Sequence, residues 1–95
     1  MVATSIKKAE DFLREAMVCT EESRHKTHGD KVANHINIAA LWSWYLKKEV
    51  TAYDVAMMMS LLKIARTKTG SANKDDLIDG AAYLAIAGEL RFDDD

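Results

Sequence analysis

Apolar residues crowd one stretch of this chain. In residues 51–67, TAYDVAMMMSLLKIART, the run from Val55 to Leu62 is broken only by Ser60, and Ile64 and Ala65 follow Lys63. A helix that is apolar on nearly every side has to be buried in protein or lipid. This one is too short for a bilayer and carries Lys63 and Arg66 near its end. It therefore reads as the central helix of a small bundle, with those two cations at the edge of a core and Met57, Met58 and Met59 inside it.

Three further segments carry helical spacing. In 5–22, Ile6, Ala9, Leu13, Ala16, Met17 and Thr20 recur every three or four residues, with Thr4 or Ser5 placed to cap the N-terminus. In 31–48, capped by Asp30, the residues Val32, Ile36, Ala39, Ala40 and the run LWSWYL cover a broad apolar arc. Trp42, Trp44 and Tyr45 do not fit one narrow stripe, so at least one of them is expected to face a partner subunit or line a pocket. Thr51 caps the helix over 51–68, and Asp54 makes a capping box with Asp in place of Glu. The fourth helix, 74–90, starts after Asn73 and packs through Leu77, Ile78, Ala81, Ala82, Leu84, Ala85 and Ile86, with Gly80 and Gly88 permitting close approach.

The turn TGSAN, with Gly70 as a C-terminal cap, is short enough to make the last two helices antiparallel neighbours. That topology sets Lys63 and Arg66 beside Asp76, Asp79 and Tyr83, which share a face of the fourth helix. The expected fold is all-α: a bundle of about four helices with the antiparallel hairpin of the last two at its centre.

Composition narrows the picture. Ninety-five residues make a single helical domain, 1–95, with an acidic tail at 93–95. A core of that size is only just sufficient, so a homo-oligomer of at least two-fold symmetry is expected. Proline is absent, as are runs with period-two alternation. The net charge of -2 gives no basic field for a long nucleic acid. The single Cys19 fits a reducing compartment and a packed position better than a nucleophile. The N-terminus lacks the apolar core of a signal peptide, and no membrane association is expected.

Two constellations carry candidate chemistry. The first is Asp76 and Asp79 with Lys63 and Arg66. It reads as an ion-pair network closing the hairpin, as a two-carboxylate cation site for Mg²⁺, or as a phosphate site in which the aspartates orient the cations. If any metal binds, Asp76 and Asp79 are its ligands; no metal and no cofactor is otherwise expected. The second is the loop RHKTHGD, in which Lys26, Thr27, His28 and Asp30, with Asn34 one turn on, can cradle an anion at a helix N-terminus. His25, His28 and His35 have neither thiolates nor the spacing of a zinc site. No nucleophile–base pair, P-loop or dinucleotide fingerprint is present.

The ordered set HGD with Asn34, ALW, DVAMMMSLLKIAR and DDLIDGAAYLAIAGEL resembles a group of small, largely uncharacterised proteins of bacteriophages and prophages. The resemblance covers about residues 27–90. More distantly, Asp76, Asp79 and Tyr83 resemble the acidic pair and Tyr of the last core helix in MazG-like all-α nucleotide pyrophosphohydrolases. The glutamate-rich E-E-x-x-E helix that completes the Mg²⁺ site in that family has no counterpart in LREAMVCTEES or VANHINIAALW.

These observations lead to a phage-type protein of the infected bacterial host's cytoplasm. It is expected to capture a nucleotide or cyclic-nucleotide immune signal without catalysis, as a counter-defence. Its ligand residues are Lys26, Thr27, His28, Asp30, Asn34, Lys63, Arg66, Asp76, Asp79 and Tyr83. The alternatives are a Mg²⁺-dependent MazG-like pyrophosphohydrolase, or an inhibitor that grips a host protein through Trp42, Trp44 and Tyr45.

Overall fold

A computed structural model describes residues 5–21 and 30–92. Four helices follow in order: α1 (Ala9–Thr20), α2 (Lys31–Leu46), α3 (Ala52–Arg66) and α4 (Lys74–Phe92). No strand occurs among the described residues. The all-α bundle is as expected, with the α3–α4 hairpin as its most intimate pair.

The helix ends follow local chemistry closely. The Asp30 carboxylate accepts from the Val32 N–H at 2.9 Å, which starts α2. At α3 the predicted capping box is complete: Thr51 N–H donates to Asp54 Oδ2 and Asp54 N–H to Thr51 Oγ1, both at 3.0 Å. Asn73 Oδ1 accepts from the Asp75 N–H and opens α4. Gly70 takes the positive φ of 70° that the hairpin turn needs.

The start of α1 differs from the expected cap at Thr4 or Ser5. Ser5 lies in a turn and Thr4 is outside the described residues. The helix instead begins after Lys8, because the Asp11 carboxylate accepts from both the Lys8 and Lys7 N–H groups. Those two bonds, with Arg14 beside them, hold the Asp11 carboxyl below the usual carboxylate range. The support it gives α1 is therefore present at neutral pH and lost as acid protonates it.

Packing rotates α1 away from the predicted stripe. Ala16 is buried against Ile78 and Ala82 of α4, with Phe12 and Cys19 alongside and Ile6, ahead of the helix, closing the cluster. Leu13 and Met17 are exposed. The small Ala16 lets α1 sit close to α4, and that contact decides which face turns inward. Lys74 Nζ donates to the Ile6 carbonyl at 2.6 Å and ties the segment before α1 to the start of α4.

The reading of α3 as buried all round is also corrected. Val55, Ala56 and Ser60 are buried, while Met58, Leu61, Leu62 and Ile64 are exposed. Only α4 and α2 pack extensively on α3, and two neighbours cover two sides of a helix. On α4, likewise, Ile78, Ala82 and Ile86 are buried as expected, but Leu77, Leu84 and Ala85 are not. A Cβ at Gly80 would stand 3.6 Å from Lys63 Cβ and 3.9 Å from Ser60 Oγ, ordinary contact distances, so the approach of α3 to α4 does not by itself require a glycine there. At Gly88 a Cβ would meet nothing within 4 Å.

The α2–α3 connection is held by a residue that the hydrophobic pattern passes over. Helix α2 stops at Lys47, whose left-handed φ of 56° turns the chain. Ser43 Oγ then donates to the Val50 carbonyl at 3.1 Å and accepts from the Val50 N–H at 2.8 Å. One hydroxyl thus satisfies both backbone groups of a partly buried residue. Ser43→Ala leaves both without that partner and is expected to cost about 1–3 kcal/mol. Urea unfolding checks this, and an unchanged midpoint would remove the clamp from the account.

Candidate functional site

The antiparallel α3–α4 seam sets the geometry of the predicted charge cluster. Lys63 and Arg66 lie at i and i+3 in the last turns of α3, and Asp76 and Asp79 lie at i and i+3 in the first turns of α4. Lys63 Nζ is 3.3 Å from Asp79 Oδ2. Arg66 Nε is 3.1 Å from Asp76 Oδ1. The two pairs are unlike. The Asp76 side chain is 6% exposed and Arg66 is 57% exposed, so a buried carboxylate holds the base of an outward guanidinium. In the other pair the lysine is the better covered partner.

This arrangement has a chemical consequence. Each carboxylate already carries a cation, so a metal shared by Asp76 and Asp79 has to displace Arg66 from a buried partner. Among the described residues, no group of three or more His, Cys, Asp or Glu side chains is placed to hold a metal ion.

Tyr83 does not join the charge cluster at the turn end of the hairpin. It packs against the apolar group of Ala56, Ile86 and Ala87. Its ring centroid lies 6.0 Å from that of His35 on α2. His35 is buried, and its Nδ1 lies 2.7 Å from the Lys31 carbonyl. A carbonyl only accepts, so Nδ1 carries the proton and Nε2 is left as an acceptor. Nε2 is buried with no hydrogen-bond partner among the described residues. His35 was not singled out as a site residue, because its role rests on a contact between α2 and α4 that spacing within α2 does not disclose. Lys31 reaches Glu89 of α4 at 3.5 Å, beside the same junction.

Of the second constellation, Lys26, Thr27 and His28 lie outside the described residues, as do Arg24, His25 and Gly29. Asp30 caps α2 as expected, and Asn34 is exposed one turn into that helix. The aromatic trio separates. Trp42 is partly buried, whereas Trp44 and Tyr45 are 68% and 76% exposed, and Lys47 Nζ stands 5.0 Å from the Trp44 ring centroid. Beside the charge cluster a groove of about 250 Å³ is lined by Ser60 and Ile64 of α3, Thr67 of the turn, and Asp76, Leu77, Gly80, Ala81 and Leu84 of α4.

Unequal burial predicts unequal roles for the pairs. Arg66→Ala leaves the buried Asp76 carboxylate uncompensated and is expected to destabilise the fold by about 1–3 kcal/mol. Lys63→Ala is expected to cost less, because Asp79 keeps more contact with water. Asp76→Ala added to Arg66→Ala should recover part of the first loss. Chemical denaturation of the three variants measures this, and an Arg66→Ala effect no larger than that of Lys63→Ala would contradict it.

Comparison with known proteins adds one identification. The model of the family described as a domain of unknown function, DUF6378, matches residues 11–91. Two relatives are phage gene products. The Gene 55 protein of Mycobacterium phage D29 is 40% identical over 82 residues, covering 86% of this chain and 54% of that protein. The Gene 55 protein of Mycobacterium phage L5 is 38% identical over 73 residues, covering 76% of this chain and 47% of that protein. The chain thus spans about half the length of the curated relatives it matches. No solved structure matches it. A match that runs from the third residue of α1 to the penultimate residue of α4 takes in nearly the whole helical framework: the chain is a member of the DUF6378 family.

Proposed function

We propose that the chain is a phage small-ligand-binding protein that captures a phosphorylated molecule, a nucleotide or a cyclic-nucleotide signal, in the cytoplasm of an infected host and withholds it without breaking a bond. The observation that carries this reading is the Arg66–Asp76 pair. A buried carboxylate fixes the guanidinium at Nε, and the exposed remainder of the group faces water. A guanidinium so oriented has lost part of its side-chain freedom before a ligand arrives, which favours two-point contact with a phosphate. Lys63, one turn back and anchored on Asp79, supplies a second positive charge. Similarity to phage gene products supports the setting.

Sequestration needs no catalytic group. It needs a dissociation constant below the ligand's working concentration and enough protein to exceed the ligand. Isothermal titration against mono-, di- and cyclic nucleotides is the test. Binding that weakens at least tenfold in Arg66→Ala supports the reading, since loss of a charge-assisted contact costs about 1.5–3 kcal/mol. No heat with any of them at millimolar concentration overturns it.

The MazG-like alternative assigns Asp76 and Asp79 to Mg²⁺. Pyrophosphate release from a nucleoside triphosphate that disappears in Asp79→Ala would put hydrolysis ahead of capture. The inhibitor alternative draws on the exposure of Trp44 and Tyr45, since aromatic side chains of that kind anchor protein interfaces.

A further inference from the structure

The charge balance at the turn end of the hairpin limits what kind of phosphate can sit there. Residues 63–79 carry four cations, Lys63, Arg66, Lys68 and Lys74, against three carboxylates, Asp75, Asp76 and Asp79. One positive charge is in excess. Lys74 is turned to other work, since its Nζ donates to the Ile6 carbonyl at 2.6 Å. The two anchored cations each have their charge balanced by a carboxylate, Arg66 by Asp76 and Lys63 by Asp79. What Arg66 still offers a ligand is geometry: with Nε on Asp76, its two amino groups form an exposed hydrogen-bonding fork.

A phosphodiester matches that fork. It presents two free oxygens and a single negative charge. A terminal phosphate carries about 1.5 to 2 negative charges at neutral pH, and a triphosphate more. The additional charge has to lie near carboxylates. The Asp79 side chain is 36% exposed and Asp75 is exposed, whereas the Lys63 side chain is 17% exposed and already spoken for. Like charges brought together in a contact are strongly unfavourable.

We infer that the Arg66 fork selects a phosphodiester, the singly charged linkage of a cyclic nucleotide, over terminal mono- and triphosphates, and that Asp79 is the specificity-determining residue that turns the additional charge away. Selection of this kind presupposes the phosphate capture proposed above and names the class of phosphate taken. A nucleic-acid strand also contains phosphodiesters. It repeats the charge at every nucleotide, however, and one excess cation on a chain of net charge -2 cannot follow such a backbone.

Isothermal titration of the wild-type chain, in chelator and without divalent cations, tests this with four probes of one base: a cyclic mononucleotide, a nucleoside monophosphate, a nucleoside triphosphate and a short single-stranded oligonucleotide. The cyclic mononucleotide is expected to bind at least about tenfold more tightly than the triphosphate. Asp79→Asn keeps the side chain's shape and removes its charge. It is expected to narrow that gap at least about threefold, by strengthening the triphosphate more than the cyclic mononucleotide. Raising sodium chloride from about 0.05 M to about 0.5 M in the wild type shortens the screening length and is expected to narrow the same gap without any substitution. A monophosphate, triphosphate or oligonucleotide that binds as tightly as the cyclic mononucleotide overturns the selection and leaves capture standing. A gap unchanged both by Asp79→Asn and by salt overturns the role of Asp79. No binding of any of the four probes overturns capture itself, and selection with it.

Discussion

The contact on which this structure depends is the one between Ser60 and Gly80. Ser60 is almost wholly buried, and its hydroxyl donates to the Gly80 carbonyl at 3.0 Å. A serine hydroxyl reaches a neighbouring helix's backbone only when the two helices are close, and here two small residues, Ser60 and Gly80, meet at the contact. A Cβ at position 80 would still stand at ordinary contact distance from Ser60 Oγ and the Lys63 Cβ, whereas a longer side chain has to displace them. The spacing set at this point fixes the reach of the two cations. Lys63 meets Asp79 and Arg66 meets Asp76 because α3 and α4 are held in contact and in register. The position of the charge cluster therefore follows from the seam, even though the buried Asp76 carboxylate depends on Arg66 for its partner.

Around the seam the remaining elements divide the molecule by chemistry. Helix α1 covers the back of α4 through Ile78 and Ala82, and α2 docks beside Tyr83 through His35. Among the described residues the hairpin then shows two exposed surfaces of opposite character. One presents a guanidinium and an ammonium anchored on carboxylates; the other presents leucines and an open glycine. Holding the cations on helices gives them a fixed geometry that loops would not.

What the sequence disclosed follows from the range of the interactions. Caps are local, so Asp30, Thr51 with Asp54, Asn73 and the positive φ of Gly70 were all readable from neighbouring residues. The pairing of Lys63 and Arg66 with the two aspartates was readable because a short turn leaves little choice of topology. The rotation of each helix about its own axis was not. Leu13 and Met17 lie outside and Phe12 inside because Ala16 meets α4, a fact absent from α1's periodicity. The apolar run of α3 implied burial on all sides, but only α4 and α2 pack extensively on it and two neighbours leave its other sides open. Ser43 and His35 escaped notice because a hydroxyl clamp and a buried imidazole depend on backbone brought near by folding. For Lys26, Thr27 and His28, the sequence reading stands alone.

Native-state hydrogen exchange tests most directly the claim that the α3–α4 seam is the frame on which the other helices sit. The account predicts that amides of Ala56 to Lys63 and of Gly80 to Ala87 exchange slowest, through global unfolding. Amides of α1, attached through one small cluster, should open earlier in a separate step. Protection of α1 equal to that of the seam, or a seam that opens before α1, would contradict it.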